Sequence, residues 1–275
     1  MWGTRGSLAS SGPETSRYGG NTSCVEVLGK DGTLLVLDAG TGIRRLASAI
    51  PEGLHRIDIL LTHLHLDHIQ GLGFFGPLYD SSMEVHIWGP RSATQDLRTR
   101  LTRYLSPPLF PVHLRSLPCV MRLHEVPHGD FEVGDFRISS AFVCHPGPTV
   151  GFRIADSRGV VTYLPDHEPA LGVPDFPLSA EWTSGYALAA DCDLLIHDAQ
   201  YTQAQYPAHV GWGHSSLTQA MKFAALAAAK QLVLFHHDPR HGDDEIDRLV
   251  TEITAAEGTP FTVTAGAEEE TFEVG

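Results

Sequence analysis

The feature that most constrains this chain is the run Thr62-His63-Leu64-His65-Leu66-Asp67-His68, set directly after the Ile/Leu-rich residues 57–61. A run of that apolar character is expected of a strand buried on both faces. Four potential metal ligands within six residues, at the end of such a strand, can converge on one point. Imidazole and carboxylate are the usual ligands of zinc, and other first-row metals accept them too. A lone histidine would carry little, whereas H-x-H-x-D-H is specific. The fold must therefore hold a buried strand rigidly enough to aim its end at a metal centre.

Further strands are expected at 24–28, 33–38, 84–88, 136–143, 150–154, 160–164, 194–197, 232–235 and 261–264. Helices are expected near 43–49, after Ser92, from about Ser216 to Lys230, and from Asp243 or Asp244 to Gly258. Ser92 and Gln95 have capping-box spacing, and Leu97, Leu101, Tyr104 and Leu105 follow as an apolar stripe. Strands alternating with helices predict a layered α/β architecture. The 275 residues contain no repeat and no low-complexity linker, so one domain, 1–275, is expected. A chain of this size buries about 70–75 % of its unfolded surface, so a metal is not needed for stability and can serve chemistry. The proline-rich stretch from about 87 to 127 is the expected insertion, a lid or a dimerisation element. Its residues 104–112 join a helix end to Pro107, Pro108, Phe110 and Pro111, and predict a homodimer. Cys24, Cys119, Cys144 and Cys192 show no C-x-x-C pairing and read as reduced, mostly buried thiols of a cytoplasmic protein. No apolar run approaches the ~20 residues that cross a bilayer, and no basic-then-apolar leader is seen.

Two metals need more ligands than the histidine run provides. His145, Asp166 and His236 each follow an expected strand, 136–143, 160–164 and 232–235 respectively. Open α/β sheets place functional groups at such ends. With these residues in this order, the chain resembles the metallo-β-lactamase fold superfamily over nearly its whole length. Within it the chain looks like the branch of cyclic phosphodiesterases and tRNA 3′-processing nucleases. That closer likeness rests on Trp2-Gly3-Thr4-Arg5-Gly6-Ser7, Tyr18-Gly19-Gly20-Asn21-Thr22-Ser23, Asp38-Ala39-Gly40-Thr41-Gly42, Gly213-His214-Ser215-Ser216 and Phe235-His236-His237-Asp238-Pro239. The resemblance implies an αββα four-layer sandwich with metals at one edge. Carried over residue by residue, it implies that His63, His65 and His145 hold one metal and that Asp67, His68 and His236 hold another, with Asp166 bridging. Two divalent transition-metal ions are implied, zinc first, with manganese or iron as alternatives. His236 is preferred to His237 because it follows the apolar run directly. His167 and His197 are expected to be structural or to support the ligands. Related chains usually carry a short strand before the Trp-Gly pair, so either that strand is missing here or the start is truncated, which bears on one sheet edge and not on the metal site.

The formal net charge is −14, which argues against a generic nucleic-acid coat because phosphate backbones are bound by Lys/Arg clusters. It does not exclude an anion held by metals. Two divalent ions bring four positive charges, and Asp67, Asp166 and a bridging hydroxide would offset three. The remaining charge suits a phosphodiester, and paired metals clamp the oxygens of an in-line displacement. The resemblance thus implies a dinuclear phosphodiesterase for small cyclic phosphodiesters, a 3′,5′-cyclic nucleotide being the first choice, attacked by the metal-bridging hydroxide. The expected partner is that small anionic substrate, with no membrane and no stable nucleic-acid binding.

The alternatives are a tRNA 3′-processing endonuclease, a promiscuous phosphotriesterase or lactonase, and a non-catalytic metal-binding member. True β-lactamases of the fold use a Cys ligand absent here, and a flavin-linked diiron oxidoreductase would need a second domain. The nuclease reading shares Asp198, His214 and the ligands, but that branch usually carries a basic arm. Here Arg91, Arg98, Arg100, Arg103 and Arg115 are the nearest equivalent, and they read as the solvated face of a helix. In the resembling nucleases a carboxylate and a histidine at positions 198 and 214 act as a pair. His214 is therefore expected to be the proton donor, oriented by Asp198, with Asp67 beside them. Asn21, Thr22 and Ser23 are candidate substrate contacts, because glycines before them allow close approach and their side chains offer hydrogen bonds.

Overall fold

Strand alternation decides how this chain layers. In the computed structural model, which describes residues 1–171, 176–177 and 179–275, the chain forms two sheets. The first has the order β1-β2-β3-β4-β5, with β1 Val25–Leu28, β2 Leu34–Leu37, β3 Arg56–Leu60, β4 Glu84–Gly89 and β5 Val120–Glu125. Only the β1–β2 pair in it is antiparallel. The second begins in sequence with β6 Gly129–Val133, β7 Phe136–Phe142 and β8 Val150–Ala155. It continues with β9 Val160–Leu164, β10 Leu194–Asp198, β11 Gln231–Phe235 and β12 Thr262–Ala265, in the order β12-β11-β10-β9-β8-β7-β6. Strands β9 to β12 are parallel, whereas β6, β7, β8 and β9 pair antiparallel.

Successive residues of a strand face opposite sides. In β3, Ile57 and Ile59 face outward while Leu60 faces the second sheet. The same parity along both sheets creates three apolar interfaces. Ile57, Ile59, Val85 and Ile87 pack under α1 (Ile43–Leu46), α2 (Leu66–Ile69) and α3 (Leu97–Thr102). Leu35, Leu37 and Leu60 meet Phe152, Tyr163, Ile196 and Phe235 between the sheets. Leu195, Leu232 and Leu234 pack on the far side against α4 (Tyr186–Ala189), α5 (Leu217–Leu226) and α6 (Asp243–Glu257). This is the helix–sheet–sheet–helix sandwich that the resemblance implies.

Topology collects strand ends at one edge. Because β8 is antiparallel to both β7 and β9, β7 runs parallel to β9, β10 and β11. Their C-terminal ends therefore open on the same side, and Asp198 pairs with Phe235 in register just before His236. The residues following β7, β9, β10 and β11 include His145, Asp166 and His236.

Three local differences from expectation have physical reasons. Strands β5 and β6 went unforeseen: both carry alternating, half-exposed polar residues and lie at sheet ends, so their apolar signal is weak. Residues 120–125 of the proline-rich stretch are thus paired sheet, not irregular chain. Helix α3 starts four residues later than Ser92 suggests, because the Asp96 carboxylate accepts the Thr99 amide and caps it. Ser216, by contrast, caps α5 in a full box with Gln219. All four cysteines are free, and all but Cys144 are buried. Among the described residues no helix is long and apolar enough to cross a membrane.

The inter-sheet layer yields a stability test. Leu60 is fully buried there, three positions before His63. Leu60→Ala should cost about 2–5 kcal/mol of unfolding free energy in urea titration. A loss below about 1 kcal/mol would mean that the two sheets do not pack through this side chain.

Candidate metal centre

The strand ends bring two groups of ligand atoms together. His63, His65 and His145 form one; Asp67, His68, Asp166 and His236 form the other, with the ligand atoms of each within 4.8 Å of one another. Asp166 stands between them. Its Oδ2 lies 3.7 Å from His63 Nε2 and 3.8 Å from His145 Nε2. Its Oδ1 lies 2.9 Å from His68 Nε2 and 3.3 Å from His236 Nε2. One carboxylate thus turns one oxygen to each group.

The imidazoles are aimed by what holds their other nitrogens. His68 Nδ1 donates to Asp38 Oδ2 at 2.8 Å, and His145 Nδ1 donates to the Gly213 carbonyl at 2.9 Å. His236 Nδ1 donates to Gln200 Oε1 at 2.9 Å. Thr62 Oγ1 lies 2.9 Å from Asp38 Oδ2, to which its single hydroxyl proton goes. His63 Nδ1, 3.1 Å from the same Oγ1, must then be the donor. These four rings thus hold Nδ1 against outer partners and turn Nε2 inward, as supporting partners of metal-bound histidines do, whereas His65 Nδ1 lies 3.2 Å from His145 Nε2 within the cluster. Asp38 opens one of the motifs that carry the resemblance, but no role at the site was expected of it. It accepts the Thr62 amide and the Tyr163 hydroxyl as well, at 2.7 and 3.0 Å. A usable signal was its place at the end of the apolar strand β2.

Close approach fixes the surroundings. An added Cβ at Gly6 would sit 2.4 Å from His236 Nδ1, and the next residue, Ser7, donates its amide to Asp67 Oδ2 at 2.8 Å. Gly213 has φ +86°, and a Cβ there would lie 2.3 Å from His145 Nδ1. Asp38 and His236 both have φ 59°, a left-handed conformation that costs a non-glycine residue about 1–3 kcal/mol and clusters at functional sites.

The donor set fits divalent metal ions. His63 Nε2, His68 Nε2 and Asp166 Oδ1 are buried polar atoms that lack a well-formed hydrogen bond, although His68 Nε2 and Asp166 Oδ1 are in ion-pair contact. Burial opposes ionisation of Asp67 and Asp166, yet the facing histidines outweigh it and hold both far below the usual carboxylate range. Burial would likewise discharge His68, but Asp166, Asp67 and Asp38 together raise it. Burial pushes His63 well down, so it is a neutral donor. Concentrated buried carboxylate with inward lone pairs is what a cation compensates.

Beside the ligands lies a second ensemble. His214 Nδ1 contacts Asp198 Oδ2 at 2.6 Å, and the imidazole stacks on His236 with centroids 5.0 Å apart. Burial lowers the His214 pKa, but the Asp198 charge and hydrogen bond outweigh it and carry it up to about 9. Asp198 Oδ1 accepts the amides of Gln200 and Ser215, which fixes the carboxylate. Glu168, fully buried, accepts the Gly211 and Gly213 amides and the Tyr206 hydroxyl. It thereby pins the loop that carries both His214 and the carbonyl aiming His145.

Other expected residues are placed elsewhere. The Asn21 amide is held by Glu268 at 3.1 and 3.0 Å. Thr22 exchanges hydrogen bonds with Thr41, and Ser23 is fully buried. The structure therefore does not bring Asn21, Thr22 and Ser23 to the centre as substrate contacts. His237 Nε2 donates to the Gly266 carbonyl, with its pKa pushed down to about 3 by burial. His167 and His197 bond to each other at 2.9 Å inside the protein. Arg91, Arg98, Arg103 and Arg115 are exposed, as expected of a solvated face, and Arg100 is half-buried; Arg100 and Arg103 also line a cavity of about 350 Å³ that His63 and His65 line. Arg91 pairs with Glu125 instead.

Comparison with known proteins agrees with this geometry. The family model described as "Beta-lactamase superfamily domain" matches residues 33–237. Ribonuclease Z of Gemmatimonas aurantiaca is 25% identical over 264 residues, 80% of this chain and 81% of the relative. Ribonuclease BN of Cronobacter sakazakii is 26% identical over 269 residues, 81% of this chain and 84% of the relative. The crystal structure of the metallo-beta-lactamase fold protein YhfI from Bacillus subtilis superposes with TM-score 0.71 at 19% identity, covering 99% of this chain and 98% of that one. The short form of human tRNase Z gives TM-score 0.67 at 23% identity, covering 100% and 98%. These relatives correct one expectation: a small diester as sole partner, with no nucleic-acid binding, is overturned by curated relatives that are ribonucleases over most of both chains. The inference from net charge failed because a global sum says little about the field at one edge of the fold.

Two variants test the centre through metal content. Asp38→Asn should keep the fold and weaken metal binding about 10–100-fold in competition with a chelator. Asp166→Ala should lose at least one of two ions by elemental analysis, and unchanged stoichiometry would leave Asp166 a mere turn residue.

Proposed function

This chain belongs to the beta-lactamase superfamily domain family, and from that premise we propose that it is an endoribonuclease of the ribonuclease Z type, acting on 3′-extended precursor tRNA. At the coarser level it is a metal-dependent phosphoric diester hydrolase. The observation that carries the finer reading is the His214–Asp198 pair, joined at 2.6 Å and stacked on the His236 ring. A nuclease expels a ribose hydroxyl, a poor leaving group that benefits from a proton in the transition state.

His63, His65 and His145 would hold one ion, and Asp67, His68 and His236 the other, with Asp166 shared. Zinc is the first expectation, with manganese and iron as alternatives. Such ions polarise a phosphoryl oxygen and make water nucleophilic at neutral pH. The chain's own residues supply the rest. Asp198 fixes the Nδ1 proton of His214 and favours its charged form. His214 Nε2 makes no hydrogen bond among the described residues, so it is the nitrogen that can give a proton to the departing oxygen. Glu168 keeps the 211–214 loop from drifting while that transfer occurs. The relatives named ribonuclease support this reading over a cyclic nucleotide as substrate. No Lys/Arg-rich arm is legible in the sequence, so RNA must be gripped by surfaces nearer the centre.

The test compares substrates. With zinc or manganese supplied, the protein should cut a 3′-extended precursor tRNA. Turnover of cyclic nucleotides with an intact tRNA would overturn the nuclease reading. His214→Ala should lose roughly 10²–10⁴-fold on RNA and far less on bis(p-nitrophenyl) phosphate, whose phenolate leaves unaided. An equal loss on both would remove His214 from the role of acid.

A further inference from the structure

The cavity that shares His63 and His65 with the metal centre is not explained by the ligands. One of its sides is apolar: Leu64 and Leu66 of the histidine run, Leu109, and the 146–148 turn with its two prolines. Its other side is polar, formed by Arg100, Arg103 and Tyr104 at the end of α3. Leu66 and Leu109 are 57% and 70% exposed, so an apolar wall beside the chemistry stands open to solvent. The arginines differ in kind. Arg100 is folded back on the Pro90 carbonyl. Arg103 is exposed, and its guanidinium has no hydrogen bond or ion pair among the described residues. Most arginines of this acidic chain are matched to carboxylates, such as Arg17, Arg45, Arg56, Arg122 and Arg248. Among the described residues Arg44, Arg98 and Arg115 are unmatched too, but of these four only Arg103 lines the cavity, where its guanidinium is open to an anion. The Tyr104 hydroxyl donates to the Gln70 carbonyl at 2.6 Å, which fixes its ring at the cavity.

Size and chemistry narrow what can enter. About 350 Å³ lies at the small end of ligand pockets, which run from about 300 to 1,000 Å³, and suits a single nucleotide better than a strand. A base in a duplex is stacked and paired, so a cavity of this kind admits only one that has left the stack. Unpaired RNA bases are held on aromatic rings and arginine planes, and phosphates by free guanidinium groups.

We propose that this cavity seats one unstacked nucleotide adjoining the scissile phosphodiester, with Arg103 on its phosphate and Tyr104 with the leucine–proline wall around its base. The assignment rests on the nuclease reading above and deepens it: α3 and the 103–109 segment set which nucleotide is accepted beside the cut.

Fluorescence anisotropy with a labelled 3′-extended precursor tRNA tests it, without need of turnover. Arg103→Ala should weaken binding roughly tenfold, as expected for loss of one charged hydrogen bond. It should also flatten the slope of log affinity against log salt by about 0.7, one single-strand phosphate contact. Arg98→Ala, on the same helix but outside the cavity, should change neither. An abasic nucleotide scanned across the cut should cost about 5–100-fold at one flanking position and little elsewhere. Equal effects of the two arginine variants, or a flat abasic scan, would overturn the cradle while leaving RNA cleavage intact. An RNA that the wild-type protein neither binds nor cuts would overturn the nuclease reading, and the cradle with it.

Discussion

Everything at the working edge of this fold depends on one buried carboxylate. Asp38 closes β2 in a left-handed backbone conformation and is fully buried. It collects the Thr62 amide and hydroxyl, His68 Nδ1 and the Tyr163 hydroxyl. Through Thr62 it also sets the proton of His63. Unpaired, that charge would be very costly in the interior. Its partners both stabilise it and are ordered by it. Asp38 thereby orients the His68 ring, and through Thr62 the His63 ring, toward the centre.

The histidine run and the strand ends were legible because they combine two strong signals, apolar strands and ligating residues that follow them. His145, Asp166 and His236 sit where that logic puts them in space. What was not legible depends on tertiary context. Asp38 stands in a recognisable motif, yet its task of aiming His68 and His63 shows only once its neighbours across the sheets are known. Arg103 and Arg98 occupy the same helical region and look alike in sequence, yet only one lines the cavity. Asn21 looked available for substrate because Glu268, nearly 250 positions away, does not show itself as its partner. Strands β5 and β6 hid for an energetic reason: half-exposed strands at sheet ends need little apolar patterning, and their pairing comes from neighbours.

Charge offers a similar lesson at a larger scale. The excess of acidic residues is real, 33 Asp and Glu against 19 Lys and Arg, and most of the arginines are already paired to carboxylates. Divalent ions at the centre would, with the guanidinium beside it, create a local field of opposite sign to the global charge. A surface of that kind would repel polyanions broadly and admit them at one place, which favours specificity over tight non-specific binding.

The Tyr163–Asp38 hydrogen bond also has a mechanical meaning. Tyr163 belongs to the second sheet and Asp38 follows a strand of the first. Two sheets packed through apolar side chains can shear past one another, because such contacts have no direction. A directional bond between them at one edge acts as a pin. Sliding is then resisted where the ligand atoms stand, so the two halves of the metal centre are held in register. At the opposite edge Arg158 donates to the Leu28 carbonyl and the Asp135 amide to Asp31, which ties the layers there as well.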